Sequence, residues 1–310
     1  MTRGEPAFYQ SGYSPATCSV PTEPGTVIVI GGPTASGKSG LALDLALHHG
    51  GTVINADSMQ VYRELSILTA RPGPESLAAA PHRLYGVLSG TEPCSAARWR
   101  SLALDEITAA RNSGRLPIVV GGTGLYLRAL IDGLSAIPDT PPEIREAIRA
   151  RLNTIGAEAL HDELAIRDPQ TAARLKPGDS QRIARALEVL EATGQSLTDW
   201  QRNHPATPPP GLTFTVIVLD PPRAELYAAC NRRFHAMIKA GAPEEVRALE
   251  RLGLSEDRPV MKALGVPELR RHLTGALTLD EAQEQASRST RHYAKRQVTW
   301  FKHQLNSPGP

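Results

Sequence analysis

The sequence predicts an α/β fold: a parallel sheet flanked by helices and interrupted once by a helical insertion. Three observations carry this. Apolar runs of strand length alternate with helix-length segments, the pattern of a parallel sheet covered on both faces. A glycine-rich turn, Gly32-Pro33-Thr34-Ala35-Ser36-Gly37-Lys38-Ser39, joins the apolar run 27–30 to a helical stretch over 39–49. From 138 to 205 the chain turns helical and strand-poor between proline-rich hinges.

The glycine-rich turn reads G-x-x-x-x-G-K-[ST] and sits between strand and helix, the context a P-loop requires. Backbone N–H groups at the helix N-terminus cradle phosphate oxygens, Lys38 adds a point charge, and the Ser39 hydroxyl can ligate Mg²⁺. A turn that merely joined strand to helix would not need the Lys-Ser pair. The predicted sheet is therefore P-loop NTPase-like. The motif does not say which phosphate it holds.

Composition narrows the classes. The 310 residues suffice for one large or two modest domains. A formal net charge of +2 gives no global electropositive field, so any nucleic-acid surface must be local. Cys18, Cys94 and Cys230 are far apart, which fits neither a metal spacing nor a disulfide framework and points to a reducing compartment. No apolar run approaches the roughly 20 residues that span a bilayer. Residues 1–24 are rich in Pro, Ser, Thr and Gly without an apolar core, and read as a loose tail rather than a signal peptide. The expectation is a cytoplasmic monomer with no membrane contact. Its tail covers 1–24, its α/β core 25–137 and 206–305, and its helical insertion 138–205.

In chain order, Gly50-Gly51 closes the first helix and residues 52–55 form a short buried strand. Asp57-Ser58-Met59-Gln60 follows it. A carboxylate just past a strand's C-terminal end lies in the crevice where such sheets bind ligands. Asp57 is thus open to three roles: organising Mg²⁺, acting as a general base, or capping the next helix. Arg71-Pro72-Gly73-Pro74 is a turn cluster, and the lone His82 reads as structural. A helix over 95–112 buries Trp99, Leu102, Ala103, Ile107 and Ala110, and a strand follows at 116–120. There a second glycine-rich turn, Gly121-Gly122-Thr123-Gly124, opens another helix. On one parallel sheet, this turn puts the Thr123 hydroxyl on the same edge as the P-loop.

Within the insertion, Asp179 or Ser180 caps a helix with Ile183, Leu187 and Leu190 on its apolar side, and Gly194 stops it. Gln181, Arg182 and Arg185 at its start read, by themselves, as a solvated face. The sheet resumes at 214–220. Asp220 resembles a Walker B aspartate, but Pro221-Pro222 follow at once and favour a cap for the helix from Arg223. In that helix Leu226, Cys230, Phe234 and Met237 form the apolar stripe, and Arg233 falls among them. A buried, unpaired guanidinium is costly, so Arg233 must meet an internal carboxylate or a bound anion; the phosphate site favours the anion. The last helix, 279–303, sets Ala282, Ala286, Tyr293, Gln297 and Trp300 on one side and Arg288, Arg291, Lys295 and Lys302 on the other. With no interleaved Glu, the basic side reads either as solvated or as a contact for a polyanion such as an RNA backbone.

Several of these segments belong together: the P-loop, Asp57-Ser-Met-Gln-Val-Tyr-Arg63, Thr69-Ala-Arg-Pro72, Pro81-His82, Gly121-Gly-Thr123 with Leu125-Tyr126, and Gln181-Arg-Ile-Ala-Arg-Ala-Leu-Glu188. Arg233-Phe234-His235, Lys295-Arg296-Gln297 and Thr299-Trp300 complete the set. In this order, over residues 26–303, they closely resemble the bacterial tRNA dimethylallyltransferases (tRNA isopentenyltransferases). The resemblance implies transfer of a dimethylallyl group from dimethylallyl diphosphate to N6 of the adenine beside the anticodon of tRNA. It implies that the P-loop, with Lys38, Ser39 and Mg²⁺, grips the diphosphate, and that Arg233 supplies a cation for the same leaving group. Thr123 would hydrogen-bond the bridging oxygen, and Asp57 would take the proton from the amine. The adenine would leave its stack to reach them. Asp57, Ser58, Met59, Gln60, Thr123, Arg145, Gln181, Arg182, Ile183, Ala184 and Arg185 match tRNA-contacting positions.

Three departures stand out. Glu64 and Leu68 replace common glycines, Val266 replaces a common tyrosine, and no Cys follows Cys230, so the zinc finger of eukaryotic relatives is missing. The competing readings are an ATP-dependent small-molecule kinase, an adenylate isopentenyltransferase acting on free AMP or ADP, and a non-catalytic RNA-binding module. The insertion argues against the second, and the convergence of Thr123, Asp57 and Arg233 against the third.

Overall fold

Strands apolar on both faces must be covered on both faces, and the fold does this with helices. The computed structural model describes residues 7–9 and 23–305. The chain opens with β1 (Ala7–Tyr9), β2 (Thr26–Gly31), α1 (Lys38–His49) and β3 (Thr52–Asn55). It continues through α2 (Pro74–Ala79), β4 (His82–Arg83), α3 (Ala96–Asn112), β5 (Pro117–Gly121) and α4 (Gly124–Ile131). Four helices follow: α5 (Pro142–Arg167), α6 (Pro169–Ala172), α7 (Ser180–Thr193) and α8 (Leu197–Asn203). The last segment holds β6 (Thr213–Leu219), α9 (Arg223–Lys239), α10 (Ala242–Glu250), a 3₁₀ turn (Pro259–Lys262), α11 (Val266–Leu273) and α12 (Leu279–Gln304).

All six strands pair in parallel in the order β1-β6-β2-β5-β3-β4. The pleat sends Val27 and Val29 of β2 to one face, where they meet Trp99 and Ile107 of α3, Leu127 of α4 and Phe301 of α12. Ile28 and Ile30 go to the other face, against Leu41 and Leu45 of α1. Burial on both sides explains why these strands read as continuous apolar runs rather than as alternation. Among the described residues no helix is long and apolar enough to cross a membrane.

The chain divides into two units, one of Met1–Ile131 with Pro209–Pro310 and the other of Asp132–Pro208. The smaller unit has its own core, built from Ile148, Leu160 and Leu164 of α5 and Ile183 and Leu187 of α7. Gly156 breaks the regular backbone of α5 with a φ of 82°. Arg167 lies 2.9 Å from Glu163 and 2.8 Å from Glu191, and Arg151 lies 3.0 Å from Glu191, which ties α5 to α7. Each of these side chains is partly solvated, so the network adds less than the apolar core does.

Three local expectations are corrected. Asp220 does not cap α9: Pro222 occupies the N-cap position with no side-chain bond, and the two prolines hold Asp220 away from the free N–H groups. Asp220 instead pairs with Lys302 at 2.8 Å. Asp179 sits at the N-cap of α7 without a capping bond, its carboxylate 3.4 Å from Arg182. The loose tail expected over 1–24 lies largely outside the described residues, but Ala7–Tyr9 forms an edge strand on β6. An open edge of β6 would otherwise leave N–H and C=O groups unpaired.

One close approach fixes the middle of the sheet. A Cβ on Gly121, at the end of β5, would stand 2.1 Å from the Ala56 carbonyl oxygen just past β3. Backbone cannot yield as a side-chain tip can. Gly121→Ala should therefore destabilise the fold by about 3 kcal/mol, measured by urea unfolding; a loss below about 0.5 kcal/mol would show that the two turns are not held this closely.

Candidate active site

The P-loop leaves the C-terminal end of β2 and enters α1. Ala35 and Gly37 take positive φ values of 63° and 87°. At Gly37 an added Cβ would meet nothing, so conformation alone asks for glycine. Gly37 is also the N-cap of α1 and offers no side-chain cap, so the first N–H groups of the helix face outward for an anion. Ser39 is exposed on the first turn. The Lys38 Nζ donates to the Pro33 carbonyl at 3.0 Å, folded over the loop it serves. Burial pushes its ammonium down to about 8, with Asp57 opposing the shift and the like charge of Arg233 adding to it. Ser36 Oγ is buried and unpartnered among the described residues.

Arg233 completes the cationic side. It lies on α9 beside buried Leu226, Cys230, Phe234 and Met237, as the helical period requires. Its guanidinium donates to Thr34 Oγ1 in the P-loop. No carboxylate pairs with it among the described residues, and burial pulls its pKa down. The internal-carboxylate alternative therefore falls away, and the charge is turned onto the P-loop.

Asp57 follows β3. Asn55 organises it: Asn55 Oδ1 accepts the Asp57 N–H at 2.8 Å, while Nδ2 donates to the carbonyls of Asp57 and Leu84, each at 3.0 Å. Trp99 Nε1 in turn donates to the Asn55 carbonyl at 2.8 Å. No helix follows Asp57, so it is not a helix cap; its Oδ1 accepts the Met59 N–H at 2.9 Å and closes a turn. That leaves its other oxygen without a partner among the described residues. The Ser58 N–H donates to Thr123 Oγ1 at 2.9 Å, and the Thr123 hydroxyl donates to Ser58 Oγ at 3.2 Å. The turns after β3 and β5 are thus sewn together through the side chains sequence reasoning had singled out. Because β5 lies between β2 and β3, the P-loop, Thr123 and Asp57 share one edge of the sheet.

Other expected site residues are placed differently. Gln60 is half-buried, its amide donating to the Thr69 carbonyl at 2.8 Å. In the helical unit Gln181 and Arg182 are exposed, while Arg185 donates to Thr140 Oγ1 at 2.6 Å and Arg145 to the Thr140 carbonyl at 3.3 Å. Ile183 and Ala184 face that unit's core and have no side chain to offer a partner. The basic side of α12 is also less bare than its sequence suggested. Arg291 pairs with Glu284 at 3.2 Å and Lys302 with Asp220, while Arg288 and Lys295 have no ion pair among the described residues. A surface groove runs along α12, lined by His292, Lys295, Arg296, Thr299 and Trp300.

Sequence reasoning missed two side chains. Asn55 was read only as a strand residue, and Gln297 as part of one helix face and of the Lys295-Arg296-Gln297 motif, with no role of its own. Gln297 bonds Thr34 N–H at 2.8 Å and the Gly122 carbonyl at 2.7 Å. The available signal was a long polar side chain on an apolar stripe, which must find partners when buried.

Comparison with known proteins places the chain in a family. The family model described as IPP transferase matches residues 60–304, and one described as isopentenyl transferase matches residues 25–91. The chain is 58% identical over 279 residues to a tRNA dimethylallyltransferase of Rhodospirillum centenum, covering 90% of this chain and 89% of the relative. It belongs to the IPP transferase family. A relative of the same designation from Nitrobacter hamburgensis is 56% identical, over 90% of this chain and 88% of its own. Among solved structures, the tRNA isopentenylpyrophosphate transferase of Bacillus halodurans matches with a TM-score of 0.65 and 36% identity, over 91% of this chain and 88% of its own. A eukaryotic dimethylallyltransferase acting on tRNA matches with a TM-score of 0.76 and 28% identity, over 90% of this chain and 70% of its own.

The three residues that depart from the expected family pattern, Glu64, Leu68 and Val266, fall outside the site's polar groups. The Glu64 carboxylate accepts the Gly90 N–H at 2.9 Å, and Leu68 packs into the core. Val266 is fully buried in the same core. None of the three bonds a P-loop residue, Asp57, Thr123 or Arg233.

The depressed Lys38 pKa has a pH consequence. A bound anion restores the charged form, so above about pH 8 the complex holds a proton that the free protein lacks. Affinity for inorganic diphosphate should therefore weaken as pH rises past that value, by up to about tenfold per unit. Calorimetry should show this as a difference between the native chain and Lys38→Met, since the ionisation of diphosphate is common to both. Parallel profiles would refute it.

Proposed function

We propose that this chain transfers a dimethylallyl group from dimethylallyl diphosphate to N6 of the adenine adjacent to the anticodon, on its 3′ side, in tRNA. The observation that carries the reading is the convergence of P-loop, Thr123, Asp57 and Arg233 on one sheet edge, in a chain of this family. The donor's diphosphate lies in the P-loop against Lys38 and Arg233, neither of which has a carboxylate ion pair among the described residues. As the carbon–oxygen bond breaks, the Thr123 hydroxyl leaves Ser58 Oγ and donates to the bridging oxygen, stabilising charge that grows in the transition state. The adenine N6 attacks the allylic carbon, a C–N bond forms, and the unpartnered oxygen of Asp57 takes the N6 proton. Diphosphate departs with the electron pair of the broken bond.

The residues fit Mg²⁺ as an ion carried largely by phosphate. Among the described residues no group of three His, Cys, Asp or Glu could hold a metal, while Ser39 offers an exposed hydroxyl beside the cradle. That suits an ion that keeps waters and phosphate oxygens as ligands. Mg²⁺ held by Ser39 would neutralise part of the diphosphate charge.

Ser58, Met59 and Gln60, together with Arg145, Gln181, Arg182 and Arg185, are the proposed tRNA contacts, and the lysine and arginine of the α12 groove suit a phosphate backbone. A tRNA substrate implies a cytoplasmic location. The kinase reading loses support because its natural second carboxylate, Asp220, is occupied by Lys302.

With Mg²⁺, the chain should move labelled dimethylallyl from its diphosphate onto tRNA bearing an unmodified adenine beside the anticodon. Label on free AMP with none on tRNA would replace this reading by the adenylate transferase. Asp57→Asn should lower kcat by about 10²–10⁴ while tRNA binding stays within about threefold; near-normal turnover would remove Asp57 as the base. Arg233→Lys should raise KM for dimethylallyl diphosphate by about tenfold and leave that for tRNA unchanged, because a point charge does not replace a two-pronged fork. Equal effects on both substrates would contradict the assignment.

A further inference from the structure

Gln297 spans the two glycine-rich turns. It is buried, at 6% exposure, on α12. Its Oε1 accepts from the P-loop at Thr34 N–H (2.8 Å), and its Nε2 donates to the Gly122 carbonyl (2.7 Å). The two bonds have opposite polarity, so the bridge needs a side chain of this length with a donor and an acceptor at its end. The fit is close: a Cβ on Gly122 would stand 2.3 Å from Nε2. The next turn of α12 fits the same surface, with the Trp300 ring 2.2 Å from a Cβ on Gly124 and Phe301 2.7 Å from one on Gly31. Thr34 is held at both ends, its N–H by Gln297 and its Oγ1 by Arg233.

We infer that Gln297 is a positioning residue that sets the separation between the P-loop and the Thr123 turn. The inference rests on the transferase reading, in which the first turn holds the diphosphate and the second offers a hydroxyl to the bridging oxygen. One amide then registers both ends of the leaving group. Through Thr34 it also steadies Arg233, while itself touching no reacting atom.

Gln297→Met keeps the length and removes both bonds. A misplacement of about 1 Å costs about 100-fold in rate, so kcat should fall by about that factor while KM for tRNA stays within about threefold. Inorganic diphosphate should bind the variant several-fold more weakly by calorimetry, since the Thr34 N–H is no longer held. Gly122→Ala attacks the same bond from the other end with Gln297 intact, and should give the same loss of kcat. Combined with Gln297→Ala, which opens the space its Cβ needs, Gly122→Ala should add less than about threefold to the loss. Melting curves taken alongside separate this from a space-filling role, which would lower Tm and leave kcat per folded molecule unchanged. Values of kcat within threefold of the native chain in both single variants, or equal losses against both substrates, would overturn the inference. If the native chain proves not to prenylate tRNA, the transferase reading fails by itself. The diphosphate titration of Gln297→Met then still decides whether Gln297 holds the P-loop, unchanged affinity counting against it.

Discussion

The site depends on the close parallel packing of β5 between β2 and β3. Parallel strands end on the same side, so their three C-terminal turns are forced together. The contact tolerates no side chain at its centre, since Gly121 lies against the Ala56 carbonyl. What each turn carries then sets the chemistry on offer: the P-loop on the first, Thr123 on the second, Asp57 on the third. Helix α12 secures the arrangement from the far end of the chain by packing Phe301 against Gly31 at the end of β2 and Gln297 and Trp300 against glycines of the second turn.

Electrostatics complete the frame. Lys38 and Arg233 are held where burial disfavours their charge, and neither finds a carboxylate ion pair among the described residues. Protein interiors rarely retain such cations without a purpose, because unpaired buried charge is expensive. The fold supplies its compensation elsewhere, in the apolar layers on both faces of the sheet. A bound polyphosphate would relieve that cost, and its binding would then be coupled to protonation at Lys38. Asp57, by contrast, is held through one oxygen and its own N–H, leaving the other oxygen available.

The outcome at individual residues shows where sequence reasoning succeeds. Arg233 was legible because a guanidinium on an apolar stripe breaks a strong rule, and the structure turns it onto Thr34 of the P-loop. Ile183 and Ala184 were grouped with their neighbours as tRNA contacts, yet they obey the helical period and are core. One partner of the basic side of α12 is remote, since Asp220 lies 82 positions before Lys302 in sequence, while Glu284, seven before Arg291, stands two turns away on the same face of the helix. Asp220 and Asp179 were expected to cap helices, but Pro222 takes the N-cap position of α9 and Asp179 makes no side-chain cap bond; their carboxylates face Lys302 and Arg182 instead.

By itself the sequence determined the local grammar: strand, glycine-rich turn and helix, the apolar stripes, and the family to which the motifs belong. These follow from short-range rules of periodicity and backbone conformation, which a few consecutive residues satisfy or violate. Only the tertiary structure decided which groups touch. The bridge from Gln297 to Thr34 spans 263 positions and that to Gly122 spans 175, and no local rule relates residues so far apart. Hydrogen bonds of this kind depend on how helices settle on a sheet, and that is set by packing, not by the pattern along the chain.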